Sequence, residues 1–429
     1  MFPLLISGAV ALASAIRKPG SVYYGWWLLA GSVVAMAIGS GVSFWAFGLY
    51  VQPLEDDFGW SRADVSLGFS VSILVSGLAG PMVGKWIDVR GPRIVIIIGA
   101  VLTGLTYILM ATTDELWQWY VYQSINAVPR QMMFFIPFQT LIARWFNRRR
   151  GVALGVLGSG FSLGGLVVVP VMRFVIDNYG WEASFVFSGI ITTAIFVPLG
   201  LFLVKNSPED VGVHADGAPV VRDAPPPPPV SGATLGQALR TPLFWALAGA
   251  LMLFFFGMFG WLVHQIPFYE SVGMSRQSAS LVVALAAGAG VLSRLAFAVV
   301  VDRVRLFEYL AMGLGVILLA AMTTLLLDTG PVGIGLFLAF WVVGASAGPM
   351  MEALLLTRAF GLAHFGTIFG VLIVVETVGQ ILSPVVAGKI FDATGSYDGA
   401  LIMFMGTFIG AIVLFGVAAR LPRPYASTS

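Results

Sequence analysis

The chain has 429 residues, of which 58% are hydrophobic and only 10% charged, and its mean hydropathy is +0.92. Such a composition excludes an ordinary soluble domain and points to a lipid bilayer. A formal net charge of +2 makes no case for nucleic acid, and the absence of cysteine removes disulfides and thiolate metal sites from consideration.

Residues 1–16 are apolar, but the basic pair Arg17 and Lys18 follows that run instead of preceding it, the wrong polarity for a secretory signal peptide. The stretch reads as an interfacial lead-in or as a misassigned start. Beyond it, apolar runs long enough to cross about 30 Å of hydrocarbon, roughly 20 residues each, recur twelve times. They cover 26–51, 64–88, 93–112, 116–142, 150–176, 181–204, 242–270, 277–301, 306–327, 331–357, 366–391 and 398–420. Barrel strands would alternate apolar and polar residues over about ten positions, so the expectation is an all-α membrane protein with twelve transmembrane helices.

With the N-terminus in the cytoplasm, seventeen lysines and arginines fall on the inner side and only Arg62, Arg173, Arg276 and Lys389 on the outer. This positive-inside bias predicts a multi-pass protein of the cytoplasmic (inner) membrane with both termini in the cytoplasm. Residues 205–240 contain SPEDVGVHADG and the run Pro225–Pro229 without apolar periodicity. They predict a solvated, semi-stiff spacer, with a docking ligand as the other reading of the prolines. The expected organisation is a cytoplasmic segment 1–25, a six-helix bundle 26–204, the linker 205–240, a second bundle 241–420 and a tail 421–429.

The two halves repeat one another. GWSRADVSL at 59–67 returns as GMSRQSASL at 273–281, and the same offset carries Asp88 onto Asp302, Arg144 onto Arg358 and Phe146 onto Phe360. After one inserted residue, Gly151, Gly155, Asp177 and Gly180 map to Gly366, Gly370, Asp392 and Gly395. An even number of helices per unit requires parallel repeats related by an axis along the membrane normal.

In Arg144–Gly165, RWFNRRRGVALGVLGSGFSLGG, a basic cluster runs into a glycine-rich helix. On a helical wheel Gly151, Gly155, Gly158, Ser162 and Gly165 share one face, and Gly160 and Gly164 lie opposite. Small stripes let backbones approach closely in lipid, either as plain packing or as a sliding surface.

These stretches identify a resemblance. GKWIDVRGPR at 84–93, echoed by AVVVDRVRL, resembles the cytoplasmic signature of the major facilitator superfamily. FGLYVQPLEDDFGWSRADVS, ARWFNRRRGVALGVLGSGFSLGG, WLVHQIPFYESVGMS and FGTIFGVLIVVETVGQILSPVVAGKIFDATGSY resemble its monocarboxylate transporter and oxalate:formate antiporter branch. The resemblance implies two pseudo-symmetric six-helix bundles that rock about a central site. It also favours a cytoplasmic gate of Asp88 and Arg93 in one half and Asp302 and Arg303 in the other, the alternative being topology signalling alone. Glu352, in the inner half of the tenth span, is expected to join that gate.

Ionisable groups at membrane depth are few, because each costs on the order of 2.5 to 3.5 kcal/mol to insert. Arg130 lies mid-way along the fourth span with Tyr122, Gln123 and Asn126 expected on its side. Arg294 lies in the eighth span, and Glu376 in the eleventh, followed at helical spacing by Gln380 and Ser383. Across the repeat these three charges correspond to Gly344, Gly80 and Phe161, so they break the duplication. Scaffold residues are needed twice whereas a ligand need not be symmetric, which favours the three as functional.

Arginine suits a carboxylate because its planar fork donates two parallel hydrogen bonds and keeps its charge when desolvated. The resemblance implies that Arg294 is the carboxylate-binding residue; Arg130, Tyr122, Asn126 and Gln380 extend the expected substrate site. Glu376 is either the carrier of a coupled proton or a structural ion partner for Arg130. His264, with an ordinary pKa near 6.5, either relays that proton or is held by hydrogen bonds. Monocarboxylate transporters of animals carry an aspartate where this chain has Gly290, and the lysine of the oxalate exchanger has no counterpart near Glu376. A small monoanion moved with a proton therefore fits better than oxalate exchange.

The chain has no HExxH, P-loop or Gly-x-Ser-x-Gly motif, so it reads as a transporter and not an enzyme, without cofactor or metal, working as a monomer. The other readings are an exporter of a larger hydrophobic or drug-like anion, suggested by LFFFGMFGW in the seventh span, and a carboxylate sensor that does not transport.

Overall fold

The structure, a computed structural model, describes residues 23–217, 231–301, 303–304 and 307–423. The lead-in 1–16, the run Pro225–Pro229 and the expected gate residue Asp302 lie outside them.

The first group of helices comprises α1 (Tyr24–Ser40), α2 (Phe47–Phe58), α3 (Arg62–Arg90), α4 (Pro92–Met110), α5 (Leu116–Met133), α6 (Phe135–Trp145) and α7 (Arg150–Pro198). After the short α8 (Leu235–Leu239) come α9 (Pro242–Ser271), α10 (Arg276–Val301), α11 (Phe307–Leu327), α12 (Pro331–Ser346), α13 (Gly348–Phe360), α14 (Phe365–Thr394) and α15 (Asp398–Arg420). Among the described residues ten helical stretches are long and apolar enough to cross a membrane, against the twelve expected. The difference has two local causes. The fifth and sixth expected spans form one continuous element, α7, with a break at Gly180, and α5 is too polar to count.

Gly180 has φ 88° and ψ 167°, a conformation open to glycine and strained for any residue with a Cβ. The chain reverses there, since Gly160 packs against Val33 and Met36 of α1 while Leu199, just beyond α7, packs back against Gly31. Its repeat partner Gly395 also has positive φ, 69°. The repeated GWS/GMS stretches carry the same device: Gly59 and Gly273 take positive φ, and the serine two residues on caps the next helix. Ser61 accepts from the Asp64 N–H at 3.1 Å, and Ser275 from the Ser278 N–H at 3.2 Å. The duplication thus extends to turn geometry.

Within the first half α1 packs on α7, and α4 on both α5 and α7; within the second, α9 packs on α14 and α15, and α11 on α12 and α15. Large apolar side chains such as Trp27, Leu166, Phe202 and Leu327 face outward, the arrangement a lipid surround stabilises. The chain is a multi-pass integral membrane protein.

The halves meet along two seams. In the first, Gly77, Gly80 and Gly84 of α3 lie against Thr377, Gly370 and Gly366 of α14. A Cβ at Gly80 would sit 2.6 Å from the Gly370 carbonyl oxygen, so the backbones touch and side chains are excluded. In the second, Gly155 of α7 abuts Ala298 of α10 and Met350 of α13. The opposite face of α7 carries Gly160 and Gly164 against α1, so that stripe is a packed face, while the other stripe abuts α10 and α13 at Gly155 and lines a cavity at Gly158 and Ser162.

The described ends of the linker are each hydrogen-bonded to one half. Asp216 Oδ2 accepts from the backbone N–H groups of Asn147 (3.2 Å) and Arg148 (2.7 Å), fastening one end to the first half. The Ala233 N–H donates to Phe360 O (2.8 Å) and the Leu362 N–H to Ser231 O (3.2 Å), fastening the other end to the second.

Candidate functional site

Asp88 closes one end of the α3–α14 seam. Its Oδ1 accepts from the Gly366 N–H (3.1 Å), and its Oδ2 from the Thr367 N–H (2.8 Å) and hydroxyl (2.7 Å). These are unpaired donors of the first turn of α14, where a negative charge is favoured by the helix dipole. Arg144 lies 3.4 Å from Oδ1 on the other side. Arg144, Gly366 and Thr367 therefore meet Asp88 at this end of the seam, contacts that the sequence analysis did not point to. The spacing of Gly80 and Gly84 with Gly366 and Gly370 was the available signal.

Arg93 corrects the expected gate. Its Nε and Nη2 donate to Gly200 O (3.0 Å) and Leu201 O (2.7 Å), and its N–H to Asn206 Oδ1 (3.0 Å), all in its own half. It staples α4 to the turn after α7 and does not reach the other half. Arg303 is exposed on the turn after α10.

Away from Asp88 the halves part around a cavity of about 400 Å³. Nine aromatic rings line it, among them Phe44, Trp45, Phe69, Phe161 and Trp341, with a few polar groups between them. Arg294, Arg130, Glu376, Glu352 and Gln380 all reach its wall.

The donors of Arg294 go to neutral partners: Nε to Ser346 O (3.0 Å), Nη1 to Gly158 O (3.4 Å) and, in a short contact, to the Ser162 hydroxyl. Gly290, one turn earlier, has open space beside it. Arg130 donates through Nη1 to Ser43 O (3.4 Å) and through Nη2 to the Ser72 hydroxyl (3.2 Å). Glu376 is therefore not its ion partner, which corrects that alternative.

Beside Arg130 a smaller pocket is lined by Gln123, Asn126, Tyr50 and Tyr107. Asn126 donates to the Thr106 hydroxyl at 2.7 Å and leaves Oδ1 without a partner. Tyr122 lines neither cavity and packs in the aromatic cluster around Trp119 and Trp181 instead, a correction to its expected place. At 100° per residue Gln123 stands about 20° from Arg130 and Tyr122 about 80°, so the register favours the glutamine.

Glu352 and Glu376 are each 2% exposed and line the same cavity, on helices that pack against one another. Glu352 was expected in the gate; it instead shares the cavity wall with Glu376, because α13 begins a new helix after the break at Ala347 and turns that face inward. His264 is away from the cavity lining. Its Nε2 lies 2.9 Å from Pro384 O and its Nδ1 3.1 Å from the Tyr397 hydroxyl. The carbonyl can only accept, so Nε2 carries a proton, and both nitrogens are engaged in hydrogen bonds.

Two helical groups that share backbone-tight seams and enclose a polar-spotted cavity between membrane-spanning helices have the architecture of a membrane transporter. Residues 33–384 match the family model described as Major Facilitator Superfamily, and the chain belongs to that superfamily. It is similar to Monocarboxylate transporter 11 of Mus musculus, 27% identical over 93% of this chain and 89% of that protein. It is also similar to the Oxalate:formate antiporter of Oxalobacter formigenes, 27% identical over 58% of this chain and 57% of that one. Among solved structures, the proton:xylose symporter XylE superposes with a TM-score of 0.72 at 13% identity, covering 94% of this chain and 97% of that one. The human organic anion transporter MFSD10 superposes with a TM-score of 0.65 at 17% identity, covering 93% and 100%. At these identities the structures speak for the fold.

Proposed function

We propose that the protein moves a small organic anion, a monocarboxylate accompanied by a proton, across the cytoplasmic membrane by alternating access. In this reading twelve helices form bundles 26–204 and 241–420, the Asp88 end faces the cytoplasm, and the cavity opens outward. The observation that carries it is Arg294: a buried guanidinium on the cavity wall whose partners are all uncharged. A carboxylate entering the cavity offers that fork two charged acceptors in place of the Ser162 hydroxyl and the Gly158 carbonyl. Those two sit on the opposite half, so binding exchanges a contact across the seam for a contact to substrate. Arg130 and Gln380 complete the anion site, and Glu376 takes the proton. The relatives, a monocarboxylate transporter and an oxalate:formate antiporter, agree with an anionic substrate.

The test is uptake of labelled lactate or pyruvate into proteoliposomes under an imposed pH gradient. Uptake by wild type and none by Arg294→Ala supports the reading, and equal uptake by both removes Arg294 from the site. A larger aromatic or drug-like anion is the second reading, favoured by the nine rings around the cavity. Thermal-shift screening against carboxylates of increasing size separates the two, since a ligand of the folded state raises its melting temperature.

A further inference from the structure

Three buried acceptor oxygens without a donor belong to residues of this cavity wall: Glu352 Oε2 on α13, Glu376 Oε1 on α14 and Gln139 Oε1 on α6. Helix α6 belongs to the first half and packs against both α13 and α14. Among the described residues, the other ionisable side chains on the wall are Arg130 and Arg294, whose donors are used on neutral partners. Charged groups on the surrounding helices are engaged elsewhere. Arg144 of α6 and Asp88 of α3 face each other, Arg358 of α13 stands over the Phe307 ring, and Glu308 of α11 pairs with Arg423. His264 of α9 is held by Tyr397 and Pro384.

Two ionised carboxylates buried on one cavity wall, each with an oxygen that no donor meets, repel one another where water cannot screen them. Acceptors that lack a donor are what a bound proton completes. The burial also selects the ligand. An ammonium group or a metal ion needs room and several exposed oxygens, and carboxylates 2% exposed admit little beyond a proton.

We infer that Glu352 and Glu376 form one proton-binding pair, and that this pair, not Glu376 alone, is the coupling site of the proton-linked transport proposed above, on which its role in coupling rests. With the proton bound, the O–H of one glutamate donates to the carboxylate of the other and the pair carries a single negative charge. Release of the proton leaves two buried charges, a state that favours access to water and so separation of the halves.

A ligand-free experiment tests the pair itself. The melting temperature of purified wild type is measured from acid to alkaline pH, alongside Glu352→Gln and Glu376→Gln. The bound proton stabilises the fold, so wild type is expected to lose stability in a step as rising pH strips it. The step is expected to move to lower pH in either single variant, because removing one carboxylate removes the repulsion while burial still disfavours the charge of the other. A step at the wild-type pH in Glu352→Gln overturns the pair. Infrared spectra of wild type alone give a second measurement, in which absence of a protonated carboxyl band on the acid side of the step overturns it without any variant. Lactate-driven proton entry, followed with a pH dye trapped in proteoliposomes, tests the coupling separately. A step without proton entry leaves the pair standing and removes its part in coupling; proton entry undiminished in Glu352→Gln leaves coupling to Glu376 alone.

Discussion

Arg294 on α10 donates to the hydroxyl of Ser162 on α7, a contact made across the seam between the two halves. The same guanidinium that is offered to a substrate is thus part of what holds the empty cavity in shape. Ser162→Ala removes a competitor for the fork without removing the charge. A hydrogen bond from a charged donor is worth about 1.5 to 3 kcal/mol net, so the half-saturating carboxylate concentration in the uptake assay is expected to fall by roughly tenfold or more. Arg294→Lys keeps the charge and loses the bidentate geometry, and its half-saturating concentration is expected to rise by about tenfold or more.

Asp88 fastens the end of the other seam through three donors on α14. The chain has no cysteine, so one introduced at Ser76, on the cavity wall, is a clean reporter of access. Asp88→Asn is expected to speed its labelling by an impermeant maleimide applied from the Asp88 face. Labelling unchanged from the parent would show that the contact does not hold the seam.

Gly80→Val tests the same closure from the packing side. The added Cβ would meet the Gly370 carbonyl at 2.6 Å, a backbone atom that cannot step aside. The variant is expected to label as fast as Asp88→Asn, and uptake to fall because the closed state is not reached.

Arg93→Ala provides the contrast. It removes hydrogen bonds to Gly200 and Leu201 within one half, at about 1 to 3 kcal/mol for carbonyls left without a charged donor. The melting temperature is expected to fall with the Ser76 reporter unchanged.

The polar face of α5 gives a fifth comparison. Gln123→Leu is expected to impair uptake because Gln123 shares the small pocket with Asn126 and Arg130, and Tyr122→Phe to leave it intact. The reverse order would mean that the helix sits in another register.

The spans were legible because their apolar length is a one-dimensional property, and the duplication because Gly59 and Gly273, or Gly180 and Gly395, keep one turn geometry in two places. Arg294 and Glu376 stood out because charge at membrane depth is rare. What could not be read is where a side chain finds its partner. Arg93 and Asp88 share one basic turn, yet one bonds within its half and the other across it. Glu352 and Glu376 lie on separate helices, so their meeting depends on how α13 and α14 pack. His264 is chemically suited to a relay, and nothing in the sequence names Tyr397 and Pro384 as its partners.

The anchored linker has one more consequence. Asp216 is tied to the first half and Ser231 to the second, and the stretch joining them could span roughly 50 Å at full extension, at about 3.3 to 3.6 Å per residue. That length is an upper limit on how far the two anchors can part, and it keeps the halves at high local concentration. The polypeptide is in this sense two separable subunits supplied in fixed one-to-one proportion, and a chain cut between these anchors would leave each half with its own docked stub and the backbone-tight seams to hold them together.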